Sequence, residues 1–109
     1  MIAIIGAMEE EVRGLHEQMD RAECIEKAGC TFFRGTLFGR DAVVVSSGVG
    51  KVNAASCTQM VIDLFEPECV INTGIAGALA PELSVGDIVI STDAVQHDVD
   101  TTVFGDAPG

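Results

Sequence analysis

Basic residues are scarce. Six Lys and Arg stand against 17 Asp and Glu, for a net charge of −11. No basic stripe is present to release counterions from a phosphate backbone, which argues against nucleic-acid binding and against an anionic membrane surface. Acidity of this kind serves solubility. Long apolar runs are missing too. Nothing approaches the roughly 20 residues of a membrane-spanning helix. The apolar part of "MIAIIGAMEEE" is too short for a signal-peptide core and has no basic residue before it. Cys24, Cys30, Cys57 and Cys69 include no C-x-x-C pair, and no two histidines stand at zinc-ligand spacing. Cys57 falls in a helical pattern and Cys69 in an apolar strand pattern, so both read as buried free thiols, which fits a reducing cytoplasm. A Gly-x-Ser-x-Gly elbow and a Cys–His pair are absent, so nothing suggests a covalent nucleophile. Linkers, repeats and low-complexity runs are absent as well, so the sequence shows no domain boundary.

What is present is apolar and glycine-rich. The 109 residues are 48% hydrophobic with 12 Gly, enough for one domain or part of one. Mean hydropathy is positive, which is more core than so small a domain needs; a larger core, a subunit interface or a missing segment would absorb it. "MIAIIG" is β-branched and closed by Gly6, the pattern of a buried strand. Met8, Val12, Leu15 and Met19 then recur at helical spacing, which predicts a helix to about Arg21. "GCTFFRGTLFGR" and "DAVVVSS" read as strands with turns at Gly29 and Gly39. "GVGKVNAASCTQMVIDLF" reads as a helix with Ala54, Cys57, Val61, Leu64 and Phe65 on its apolar face, stopped by Pro67. "CVINTG" reads as a second buried strand, "VGDIVISTDAV" as another strand, and "FGDAPG" as a loop. This order is α/β. Two helices are few for covering five or six strands, so a partner segment is expected to be missing.

Glu9, Glu10 and Glu11 follow the first strand directly. On a wheel of about 100° per residue, Glu10 points away from the apolar face. Glu9 lies on one flank, four residues before Arg13, at ion-pair spacing. Glu11 lies on the other flank, beside Met8 and Leu15, nearest of the three to the core. Acids in a first turn stabilise a helix by roughly 0.3–1 kcal/mol each. A second role opens if Glu11 reaches the crevice outside the strand ends, where open α/β sheets bind ligands. A carboxylate there can orient or deprotonate a water.

Other turns share that region of the pattern. "SSGVGKVN" fails as a phosphate-binding loop, because Val45 replaces the first glycine and Val52 the required hydroxyl residue. "NTGIAGAL" lacks G-x-G-x-x-G spacing and runs into Pro81, so dinucleotide binding is not indicated. Both turns still let backbone groups approach a small planar ligand. His97, Asp98 and Asp100 make a weak candidate for metal binding. His16 falls toward the solvated flank and receives no role.

Taken together, "IIGAMEEEV", "SGVGKVNAA", "INTGIAGAL", "VGDIVIS" and "HDVDTTVFG" occur in an order and spacing that resemble the N-terminal half of the bacterial 5'-methylthioadenosine/S-adenosylhomocysteine nucleosidases, from Met1 to about Gly105. The resemblance implies a nucleoside phosphorylase-like α/β fold, with a mixed, partly barrel-like sheet flanked by helices and incomplete in this chain. It implies a cytoplasmic homodimer that uses no metal or other cofactor. The implied reaction is hydrolysis of the N-glycosidic bond of adenine nucleosides (methylthioadenosine, S-adenosylhomocysteine, 5'-deoxyadenosine), releasing adenine and feeding methionine salvage. By the same resemblance Glu11 contacts the attacking water. Ala7 and Met8 lie beside the ribose and water, Val49 near the 5' substituent, and Ile75, Ala76 and Gly77 along the purine. Phe104 reaches into a neighbouring subunit's pocket. Some relatives carry Ser where this chain has Ile75, so a hydroxyl contact is lost there.

Members of that family are about twice as long. Their second half carries a Met-Glu ribose clamp and an aspartate that protonates the leaving adenine, and neither motif occurs here. The expectation is that residues 1–109 are the N-terminal half of a single nucleosidase domain, nearly inactive without the C-terminal half. Three alternatives stay open: a related phosphorylase using phosphate, for which Lys51 is the one cation in a crevice loop; a futalosine-type nucleosidase; and a non-catalytic interaction module.

Overall fold

The β-branched N-terminal run forms β1 (Ile2–Gly6) near the middle of a five-stranded sheet. The structure, a computed structural model, describes residues 1–107; Pro108 and Gly109, the end of the expected "FGDAPG" loop, lie outside the described residues. From β1 the chain continues through α1 (Glu9–His16), β2 (Asp20–Lys27), β3 (Cys30–Leu37), β4 (Arg40–Ser46), α2 (Lys51–Phe65) and β5 (Cys69–Asn72). The sheet order is β2-β3-β4-β1-β5. β4, β1 and β5 are parallel, while β2, β3 and β4 form an antiparallel meander. The sheet is mixed, flanked by helices and, among the described residues, not closed, as expected of a nucleoside phosphorylase-like fold that is incomplete in this chain.

Helices on both faces explain why β1 is apolar throughout and β4 is apolar and buried from Ala42 to Val45. Ala3, Ile5, Val43 and Val45 point to one face, with Phe32 and with Cys57 and Val61 of α2. Ile4, Ala42, Val44 and Leu37 point to the other, against Val12 of α1. Phe32 also meets Phe65, ring centroids 5.6 Å apart.

Several elements differ from the sequence reading. α1 stops at His16 rather than near Arg21, and Met19 reaches the same core cluster from the following loop. Helical spacing and loop packing coincide there. β2 carries no apolar period: Ile25 is its one half-buried residue, so packing left no signature. β5 forms where "CVINTG" stands, but as the edge strand it is exposed throughout, and Cys69 with it; Cys57 is buried as expected. Leu64 of the expected α2 apolar face is exposed as well.

The chain divides into two compact units, Met1–Ala76 and the stretch from Gly77 onward. In the second unit "VGDIVISTDAV" makes no strand, and Ile88 and Ile90 are 91% and 88% exposed. A strand needs a neighbour for its N–H and C=O groups, and that stretch has none among the described residues. One 3-10 turn, Thr102–Phe104, closes the unit. Just before it, Asp100 accepts from the Thr102 amide at 3.0 Å and from the Thr102 hydroxyl at 2.7 Å.

Candidate functional site

The carboxyl ends of three parallel strands lie side by side at Gly6, Ser46 and Asn72. In open α/β sheets this edge is where loops can converge on a ligand. α1 starts at the end of β1 after two residues, Ala7 and Met8. That short connection puts the first turn of the helix over the strand ends.

The three glutamates separate cleanly. Glu10 is exposed. Glu9 meets His16 Nε2 at 2.6 Å rather than Arg13, and accepts a longer contact from the Ser46 hydroxyl at 3.5 Å. His16 stacks on Phe33 with ring centroids 4.1 Å apart, so it is a packed residue and not a solvated one. The signal was available in the sequence: seven residues are close to two helical turns, which brings Glu9 and His16 to one face.

Glu11 is half-buried and turns back over the strand ends. Its Oε2 accepts from the Ala7 amide at 2.8 Å and the Met8 amide at 2.9 Å. Its Oε1 accepts from the Ile75 amide at 3.0 Å. The Met8 bond is helix capping, since Glu11 at the third helical position reaches back to the residue before the helix. The Ile75 bond is not capping. It comes from 64 residues away, across β1 to the loop after β5. The Met8, Ile75 and Ala7 amides hold the Glu11 carboxyl below its ordinary value against the opposing effect of burial. Glu11 is therefore an anion at neutral pH, fixed in orientation from two sides.

The structure brings Glu11, Ala7, Met8 and Ile75 together through these bonds. Ala76 follows directly in the chain. Val49 lies in the β4–α2 turn, 69% exposed, and its carbonyl accepts from Asn53 Nδ2 at 2.8 Å. Gly77 and Phe104 belong to the second unit; Phe104 ends the 3-10 turn and is 84% exposed. Among the described residues no three His, Cys, Asp or Glu side chains converge as metal ligands, and Asp100 accepts from Thr102 instead. A shallow depression of about 360 Å³ opens at the β2–β3 turn, lined by residues 26–31. One hairpin supplies all of its walls, so no groups from separate strands meet in it.

The chain has close counterparts among known proteins. The Phosphorylase superfamily matches residues 1–109. A 5'-methylthioadenosine/S-adenosylhomocysteine nucleosidase of Anoxybacillus flavithermus is 56% identical over 108 residues, covering 99% of this chain and 47% of that protein. The crystal structure of such a nucleosidase from Colwellia psychrerythraea, in complex with adenine, superimposes with a TM-score of 0.93 at 51% identity over 95% of this chain and 43% of that one. The Neisseria meningitidis nucleosidase in complex with methylthio-immucillin-A gives a TM-score of 0.94 at 46% identity, covering 97% of this chain and 46% of that one. The chain thus spans about half the length of the relatives it matches.

Proposed function

Because the chain belongs to the Phosphorylase superfamily, we propose that it is the N-terminal half of a 5'-methylthioadenosine/S-adenosylhomocysteine nucleosidase domain. In that reading it hydrolyses the N-glycosidic bond of an adenine nucleoside when completed by a C-terminal half. The observation that carries the proposal is the Ile75 bond to Glu11. Capping a helix needs only the local amides. Joining the carboxylate to the loop after β5 places an anion where two strand ends and a glycine-rich turn meet. Similarity to nucleosidases that hold adenine and methylthio-immucillin-A supports the substrate class.

The chemistry follows from the ionised state of Glu11. A carboxylate below its ordinary pKa accepts a hydrogen bond from water and directs the water oxygen at the anomeric carbon. As the N-glycosidic bond breaks and the sugar gains positive charge, the water oxygen bonds to carbon and one of the water's protons passes to the Glu11 carboxylate. The anion also stabilises the positive charge as it develops. Ala7 and Met8 border the ribose and the water, and Val49 the 5' substituent. Ile75, Ala76 and Gly77 supply the backbone along the purine. Phe104 closes the pocket of a second subunit in a homodimer. The missing half contributes the ribose clamp and the acid that protonates adenine. The setting is the cytoplasm, where the reaction feeds methionine salvage. Among the described residues no helix is long and apolar enough to cross a membrane.

Adenine release from methylthioadenosine, followed with and without added phosphate and with and without a C-terminal half from a relative, tests the proposal. Release that needs the added half and ignores phosphate supports it. Release that requires phosphate points to a phosphorylase, and two soluble, associated halves that release none overturn it. Glu11→Gln lowers turnover at least about tenfold, while Glu10→Gln leaves it unchanged. Equal effects of the two would remove Glu11 from the reaction.

A further inference from the structure

The Glu11 side chain lies between two glycines, one at the end of β1 and one just past the end of β5. Gly6 is the last residue of β1, and Gly74 stands two residues beyond β5. A methyl group placed on Gly74 would sit 2.6 Å from Glu11 Oε1, 3.0 Å from its carboxyl carbon and 3.3 Å from Oε2. One placed on Gly6 would sit 2.7 Å from Val12 Cγ1 and 3.2 Å from Glu11 Cβ. Neither glycine has a positive φ. Both positions therefore exclude a side chain by space alone, and alanine suits the backbone at each.

The two sites differ in what must yield. At Gly6 the obstacle is Val12, one of the most deeply buried side chains of the core, which has nowhere to go. At Gly74 the obstacle is the carboxyl end of the Glu11 side chain, which can swing away at the loss of its Ile75 bond. A methyl at 74 thus leaves the fold intact and moves the carboxylate. The movement falls on Oε1, the oxygen bonded to Ile75. An ionised carboxylate has about four acceptor sites. Oε2 uses two on Ala7 and Met8, and Oε1 uses one on Ile75. Oε1 keeps capacity for one more donor.

We infer that Gly74 is a positioning residue for Glu11: by presenting no side chain it seats Oε1 on the Ile75 amide and makes Oε1 the oxygen that holds the attacking water. The catalytic half of this inference rests on the nucleosidase reading, and the geometric half does not. The two are tested separately.

The geometric test uses the 109-residue chain and the amide proton shifts of Ala7, Met8 and Ile75 as a function of pH. In the unsubstituted chain all three follow one carboxyl group and share a midpoint below the ordinary glutamate value of 4.5. In Gly74→Ala the Ile75 amide stops following, Ala7 and Met8 continue, and their midpoint rises. Gly14→Ala, on an open face of α1 with nothing within 4 Å, changes none of this. An Ile75 amide that still titrates in Gly74→Ala with the same midpoint overturns the positioning role. So does Gly14→Ala reproducing the effect, which would mark it as general loosening. The catalytic test uses the chain completed by its C-terminal half. Gly74→Ala lowers kcat on the order of 10- to 100-fold while KM stays within about threefold, because the water and not the nucleoside loses its partner. A rise in KM with kcat unchanged overturns the assignment of Oε1. If the unsubstituted pair releases no adenine, the nucleosidase reading fails, and the amide titration still decides whether Gly74 sets Glu11.

Discussion

Replacing Val12 by alanine isolates the attachment of the site helix. α1 has eight residues, too few to be stable in water unaided. Val12 is its one buried residue, 1% exposed, packed with Ile4, Leu37, Ala42 and Val44. Val12→Ala removes two buried methyl groups, whose transfer to water costs about 1.6 kcal/mol. The space left behind adds to the loss, since measured core truncations exceed the transfer value. Alanine's better helix propensity returns about 0.5 kcal/mol. The net cost is about 1.5–3 kcal/mol, read as the shift in urea midpoint with the slope unchanged. Val61→Ala is the matched control. It removes the same atoms from α2 on the opposite face, where Val61 is 0% exposed. Both variants lose comparable global stability. Only Val12→Ala weakens the coupling of the Ala7, Met8 and Ile75 amides to the Glu11 carboxyl in the folded protein. Equal disturbance of those amides by both would refute the claim that Val12 anchors the site. A loss below about 0.5 kcal/mol would show that the pocket around Val12 collapses on truncation.

Glu11 is held below its ordinary value of 4.5, so its contribution to stability is present above that value and is lost as pH falls through the lower folded one. Glu11→Gln therefore shows a shallower loss of stability on the acid side than the unsubstituted chain, and an unchanged acid limb would contradict the three-amide hold. Burial first, and the neighbouring Cys30 second, push the Cys57 thiol up to about 12. At pH 8 a thiol reagent labels the exposed Cys24 and Cys69 rapidly and leaves Cys57 unlabelled until the chain is unfolded, as peptide mass mapping would read. Glu66 ends α2 in the left-handed region with φ of 45°. Glu66→Gly relieves that conformation and raises stability by about 0.5–1 kcal/mol in urea titration; a decrease would mean the Glu66 side chain has a role of its own.

The buried elements were legible because burial on two faces leaves a β-branched run and burial on one helix face leaves a period. β1, β3, β4 and α2 follow from that alone. β2 was not, because an edge strand with one half-buried residue obeys pairing and not packing. The "VGDIVISTDAV" stretch shows the reverse error, a strand pattern without a partner strand among the described residues. At the site, the wheel placed Glu11 beside the apolar face and Glu10 in solvent, as found. The wheel did not place the Ile75 amide, which reaches Glu11 through sheet order and not through anything local to α1. The pairing of Glu9 with His16 was within reach of helical spacing, but its stacking on Phe33 depends on β3 lying under α1.

The position of β5 at the rim of the sheet also governs when the Glu11 carboxylate takes its final shape. The β2–β3–β4 meander links stretches near in sequence and can zip up early, whereas β1 must wait for a strand nearly seventy residues downstream. Glu11 gains its last amide only on that late arrival. The same strand is the most exposed of the five, so in hydrogen exchange its amides open first while β1 stays protected. Fraying at that rim disarms the carboxylate well before the molecule melts.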